Sequence, residues 1–336
     1  MSRGFEQAGL PMALRALTSL AVLLPLLLGG CKNRSAEPPK PVTEIADGGT
    51  LPEEEPLPFK TRGARLAGTL DVENRYASTV TVETHAPMEA GIDGQCSGVL
   101  ISPRLVLTAG HCVCMKQKVT TPGTEGRSII DGSACPTRPT VTTLAYEPPK
   151  KSVEGMPGYK SWDYEGIEVR PHPQLQLLLD PKGRVESARA DLAVILLNEP
   201  VEGTFPAIPL ANEDVRMDEP FVMVGYTYDK IVGGISGQRR FSRYKVEKLM
   251  PADDGRALFE QPGRDLYAGD SGGPCLREGA AGTVLVGISS RGLGESPTLT
   301  RIYPYRSWLA SELERASGIR SATPHDSKPP SPLGGP

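Results

Sequence analysis

The sequence predicts an all-β fold assembled from many short strands, and three observations lead there. Apolar residues make up 38% of the 336-residue chain, while 37 glycines and 33 prolines place a turn former in nearly every gap. That composition suits short strands with tight connections better than long helices. Runs rich in β-branched residues recur without long helical patterns between them, as a barrel or sandwich requires.

In chain order, order begins near Leu66. Ser78-Thr79-Val80-Thr81-Val82 alternates as a half-buried strand should. Gly98–Ile101, Leu105–Thr108, Ile167–Arg170, Asp191–Leu197, Phe221–Gly225, Phe241–Leu249 and Thr283–Ser289 are the further strands. The stretch from Lys116 to about Asp163 is rich in Pro, Gly and Thr and is read as surface loops and an insertion. One helix closes the pattern: Pro304 suits its first turn, Trp308, Leu309 and Leu313 share a face, and Gly318 ends it.

The first 30 residues form a leader. Arg3 and Arg15 precede an apolar run from Ala16 to Leu28, too short for a comfortable membrane span and ending in Leu28-Gly29-Gly30-Cys31. That ending resembles the lipobox of bacterial lipoproteins, which implies lipidation of Cys31 and anchorage by acyl chains. Residues 31–65 carry six prolines and the cluster Glu53-Glu54-Glu55 and read as an extended tether and possible pro-segment; residues 319–336 read as a disordered tail. The expected location is the bacterial cell envelope, lipid-anchored, or the secreted fraction. A net charge of −3 and a pI near 5.9 give no electrostatic case for nucleic acid. Six cysteines in an exported chain favour disulfides.

Chemistry concentrates in Gly269-Asp270-Ser271-Gly272-Gly273-Pro274. Glycines allow successive backbone N–H groups to converge beside the Ser271 hydroxyl, as an oxyanion requires. A serine needs a base, and histidine has the suitable pKa. Of the four histidines, His325 lies in the tail, His172 sits between Pro171 and Pro173, and His85 precedes Pro87. Only His111 follows an apolar strand, in Leu107-Thr108-Ala109-Gly110-His111-Cys112. Asp191 opens the apolar run Asp191–Leu197, where a carboxylate is either solvent-facing or specifically paired.

Together, in the order His111, Asp191, Ser271, these segments resemble the chymotrypsin/trypsin family of serine proteases from about Leu66 to Ser317. The resemblance implies two antiparallel Greek-key β-barrels with a C-terminal helix over residues 66–318. It implies His111 as general base, Asp191 as its orienting acid, Ser271 as nucleophile, and the N–H groups of Gly269 and Ser271 as oxyanion hole. It also implies a Cys96–Cys112 disulfide behind the histidine, no cofactor, and a protein or peptide substrate; a monomer is expected. Cys114–Cys135 is assigned to a local staple, leaving Cys275 unpaired. A zinc site from His111, Cys112, Cys114 and Cys135 is the metal alternative.

For specificity, Asp265 stands where the family's trypsins carry the acid that selects Arg or Lys, and Ser290 and Gly292 match the strand that meets substrate backbone. Arg291, Thr298 and Tyr267 depart from the pattern. The family is activated when cleavage frees an α-amine that pairs with the acid before the serine, here Asp270; Leu66 after Arg65 is the candidate new N-terminus, and its Leu66-Ala67-Gly68-Thr69 departs from the family's Ile-Val-Gly-Gly. Ile231-Val232-Gly233-Gly234 matches the family's N-terminal motif but falls between Asp191 and Ser271, so it is read as a surface loop. A catalytically silent relative, serving as a binding module of the envelope, is the alternative function.

Overall fold

A computed structural model describes residues 68–84, 94–120, 125–136, 138–148, 158–203, 205–229, 234–251, 254–259, 270–293 and 296–318. The leader, Cys31, Arg65, Leu66, His85, Asp265, Tyr267, Gly269, His325 and the tail lie outside the described residues.

The elements in order are β1 (Thr69–Leu70), β2 (Thr79–Thr84), β3 (Gly94–Ser102), β4 (Leu105–Thr108), α1 (Gly110–Val113), β5 (Lys116–Lys118) and β6 (Ser128–Asp131). They continue with β7 (Thr140–Tyr146), β8 (Tyr159–Pro171), β9 (Gln176–Leu179), β10 (Val185–Arg189), β11 (Ala193–Leu197) and β12 (Pro220–Asp229). The chain then forms β13 (Gly234–Leu249), β14 (Arg256–Phe259), β15 (Pro274–Gly279), β16 (Gly282–Leu293), β17 (Ser296–Arg301), a 3₁₀ turn (Tyr303–Tyr305) and α2 (Arg306–Gly318).

Two closed antiparallel barrels account for most of these strands. The first runs β11-β4-β3-β2-β7-β8 around the ring; the second runs β15-β12-β13-β14-β17-β16 and closes through β15–β16. In each, three consecutive hairpin-linked strands lie side by side and the fourth returns beside the first, the Greek-key order. Closure leaves no unpaired edge in either barrel. Val80, Val82, Val99, Leu105, Leu107 and Ile195 are fully buried in the first barrel. In the second, Phe221, Tyr244 and Phe259 meet at centroid distances of 5.0 to 5.9 Å.

The structure corrects the reading of 116–163 as loops, because this stretch contributes β5, β6, β7 and the start of β8. β7 is a barrel wall, pairing with both β2 and β8. Its Thr140-Val141-Thr142-Thr143 run is β-branched, and Val141 and Thr143 point into the core while Thr142 does not. The threonines hide the apolar alternation that otherwise marks a strand. β5, β6, β9 and β10 form an antiparallel extension joined to β16 by a parallel pairing of Val185 with Leu293.

The C-terminal helix follows the sequence closely. Leu309 and Ala316 are buried, Trp308 and Leu313 pack partly against the core, and buried Glu312 is matched by Arg170 at 3.0 Å and Arg315 at 2.7 Å. Two disulfides form, Cys96–Cys112 and Cys114–Cys135, and Cys275 is a free thiol buried in the second core. The sulfurs of Cys112, Cys114 and Cys135, offered above as zinc ligands, are thus bonded to sulfur.

A buried ion pair ties the first described segment to the second barrel. Asp71 and Arg239 have fully buried side chains, 2.7 Å apart. The guanidinium also donates to the Leu144 carbonyl at 2.7 Å and to Asn74 Oδ1 at 2.9 Å, so neither charge is left bare. Removing one partner strands the other in a low-dielectric interior. Arg239→Met is therefore expected to lower the unfolding free energy by about 3–5 kcal/mol. Urea denaturation checks this, and Asp71→Leu added to Arg239→Met should recover much of the loss.

Candidate active site

Asp191 lies between β10 and β11, and its burial decides between the two possibilities the sequence left open: the side chain is 1% exposed and specifically paired. Its Oδ2 accepts from His111 Nδ1 at 2.7 Å and from the Ser290 hydroxyl at 2.5 Å, and its Oδ1 accepts from the His111 backbone N–H at 2.9 Å. Burial alone would raise its pKa, but the His111 imidazole, the Ser290 hydroxyl and the His111 amide overcome that and hold the carboxyl below its ordinary value.

The strand does not begin at Asp191 as its apolar run suggests, but two residues later at Ala193. The reason is a tight turn: Ala190 adopts φ 46°, and the Leu192 amide bonds back to the Ala190 carbonyl at 2.7 Å. Left-handed backbone costs a residue with a Cβ about 1–2 kcal/mol. The Ala190 amide is held by the Tyr305 hydroxyl at 3.2 Å, so the turn before α2 supports the one that aims Asp191.

His111 sits on the single turn α1, which starts directly after β4. Gly110 leaves room there for Leu175, whose methyl groups would have to move from a Cβ at 2.6 Å. The Cys96–Cys112 bond fastens the turn to β3. His111 Nε2 lies 3.8 Å from Cys112 Sγ, too far for a strong bond, which leaves that nitrogen able to accept a proton.

The Ser271 segment is locked between the barrels by its backbone. The Ser271 carbonyl accepts from the Ser97 amide at 2.8 Å, the Gly272 amide donates to the Ser289 carbonyl at 2.8 Å, and the Gly273 amide donates to the Asp270 carbonyl at 2.9 Å. Gly272 has φ 81°, and a Cβ there would come within 2.2 Å of the Ser97 carbonyl and Thr108 Oγ1, so only glycine fits. Among the described residues the Ser271 amide itself donates to nothing, as an oxyanion donor should. No hydrogen bond joins Ser271 Oγ to His111 Nε2 among the described residues. The Ser271 segment does lie against the chain that leads into His111, since a Cβ on Gly272 would also come within 3.2 Å of the Ala109 nitrogen.

Ser290, read from the sequence as lying on the strand that meets substrate backbone, also donates its hydroxyl to Asp191. Gly292 lies on β16 beyond it, and Thr298 is buried in β17 opposite Ser290. His172, left aside as a base, is buried edge-on against Tyr305 and Trp308, both at 4.9 Å, with its amide on the Leu192 carbonyl at 2.9 Å. Burial, then Arg189, holds its ring pKa below the ordinary value. Sequence reasoning missed Ser97, whose amide, carbonyl and hydroxyl bond Ser271, Thr108 and Tyr226 respectively. No motif singles it out; only its place after Cys96 hints at it.

A depressed folded-state pKa means Asp191 contributes stability that is fully present above the unfolded carboxylate value near 3.9 and is lost as pH falls through the lower folded value. Urea midpoints measured from about pH 6 to pH 2 should therefore fall more steeply for the native chain than for Asp191→Asn. Parallel curves would contradict the pairing.

The described arrangement has a family counterpart. The model of the trypsin-like peptidase domain matches residues 96–288, more than half of the chain. The matched span starts at the Cys96 disulfide and contains His111, Asp191, Ser97 and Ser271. With that match over two six-stranded antiparallel barrels, the chain belongs to the trypsin-like peptidase domain family.

Proposed function

We propose that this peptidase is a serine endopeptidase using His111, Asp191 and Ser271. The observation that carries the proposal is the His111–Asp191 contact at 2.7 Å beside the locked Ser271 segment. Asp191 accepts the Nδ1 proton, which fixes the tautomer whose Nε2 is basic. His111 Nε2 takes the Ser271 proton as Oγ bonds to the scissile carbonyl carbon. The oxyanion is met by the Ser271 amide, joined by that of Gly269 in this reading. His111 then gives the proton to the leaving amine as the C–N bond breaks, leaving an acyl-enzyme. Water, deprotonated by the same nitrogen, releases the acid and restores Ser271.

The wider reading is a lipid-anchored or shed enzyme of the bacterial envelope. Lipidated Cys31 would hold the domain at the membrane through the tether. Cleavage after Arg65 would free Leu66 to pair with Asp270, which is buried. Without a covalent link back to the tether, activation would also release the domain. Asp265 would direct cleavage after Arg or Lys.

Protein with its N-terminus at Leu66 should form a covalent adduct on Ser271 with a fluorophosphonate probe, read by mass spectrometry, and Ser271→Ala should abolish it. Asp191→Asn should slow peptide hydrolysis by roughly 10,000-fold, chiefly in kcat. Absence of any adduct would favour a silent binding module instead. Peptide-library cleavage should show Arg or Lys on the acyl side; a preference for small apolar residues would remove Asp265 from the pocket.

A further inference from the structure

A recess that the catalytic constellation does not use is lined by β2, β3, β7 and β8 of the first barrel and by Tyr226 and Gly237 of β12 and β13 in the second. It holds about 200 Å³, below the roughly 300–1,000 Å³ of sites that enclose whole small molecules, so it is sized for one side chain. Val82, Leu144 and Tyr226 give it buried surface, and Glu83, Gln95 and the 55%-exposed Tyr159 line it as well. Glu83 and Gln95 face each other across β2 and β3. Among the described residues the Glu83 carboxylate has neither an ion-pair nor a hydrogen-bond partner.

An unpaired carboxylate beside apolar surface and an exposed phenol suits one chemistry. The methylene stem of Lys or Arg covers the apolar part, while its cation meets the acid and the ring face. The recess also has a definite place relative to Ser271. β3 runs Gln95, Cys96, Ser97, and the Ser97 amide holds the Ser271 carbonyl at 2.8 Å. On the other flank the Gly272 amide holds Ser289 of β16 at 2.8 Å. If the acyl half of a substrate runs along Ser290 and Gly292 of β16, the half beyond the cut bond leaves toward β3.

We propose that the Glu83 recess binds a basic side chain of the substrate on the leaving-group side of the cut. This rests on the peptidase reading above and adds a second specificity determinant to it, separate from Asp265.

The test uses decapeptides with one fixed acyl half and either Arg, Lys or norleucine among the first three residues beyond the cut. Fluorescence anisotropy with the full chain carrying Ser271→Ala measures binding without turnover. The Arg and Lys peptides should bind about tenfold more tightly than the norleucine peptide. Glu83→Gln should bring that ratio to about one, and Glu83→Asp should keep part of it. In the active enzyme the same preference should appear mainly in KM. An Arg-to-norleucine ratio near one, or a ratio untouched by Glu83→Gln, overturns the site. If protein with its N-terminus at Leu66 cleaves nothing but the Glu83-dependent binding ratio persists, the peptidase reading fails and the site stands. Cleavage with no Glu83 dependence sinks the site alone.

Discussion

The ionised Asp191 carboxylate in the protein interior is the constraint on which the site depends. A bare buried charge is among the costliest things a fold can hold. Here it is compensated by three donors: the ring and amide of His111 on α1 and the hydroxyl of Ser290 on β16. Those elements belong to different barrels, so satisfying one charge brings the histidine of the first barrel against the second. The same contacts select the His111 tautomer that can take a proton. Burial and function are one arrangement here, because the burial that makes the pairing obligatory also makes it rigid.

The Ser271 segment is held by a different means, its backbone. Ser97 from the first barrel and Ser289 from the second grip either side of Ser271 and Gly272, and the left-handed Gly272 fits where no side chain could. Gly272 and Gly273 spend their amides on carbonyls, while the Ser271 amide donates to nothing among the described residues. Support extends outward through Tyr305, which holds the strained turn at Ala190, and His172, which packs α2's Trp308 against the chain next to Leu192. The C-terminal segment thus buttresses the acid although it supplies no group to the chemistry.

Much of this was legible in the sequence because the chemistry demands unusual neighbours. Three glycines around Ser271, a histidine after an apolar strand and an acid before another are rare by composition, and through their resemblance to a known family they pointed to the two-barrel fold. The Cys96–Cys112 pairing followed from the family resemblance and Cys114–Cys135 from assigning a local staple, and both bonds form. What stayed hidden involves residues whose role is set by tertiary partners. Thr140–Tyr146 forms a barrel wall because Val141 and Thr143 meet the core, a fact a threonine-rich run conceals. Ser97, Tyr305 and the Asp71–Arg239 pair act across long sequence separations, with no local pattern to betray them. The bond from the Ser290 hydroxyl to Asp191 likewise spans 99 residues and has no local signal.

The central claim is that Asp191 fixes His111 in the tautomer carrying its proton on Nδ1. Nitrogen-15 NMR of the imidazole at a pH where the ring is neutral reads this directly. The account predicts a protonated Nδ1, with its proton shifted far downfield by the short bond to Asp191, and an unprotonated Nε2. A neutral ring protonated on Nε2 would contradict it.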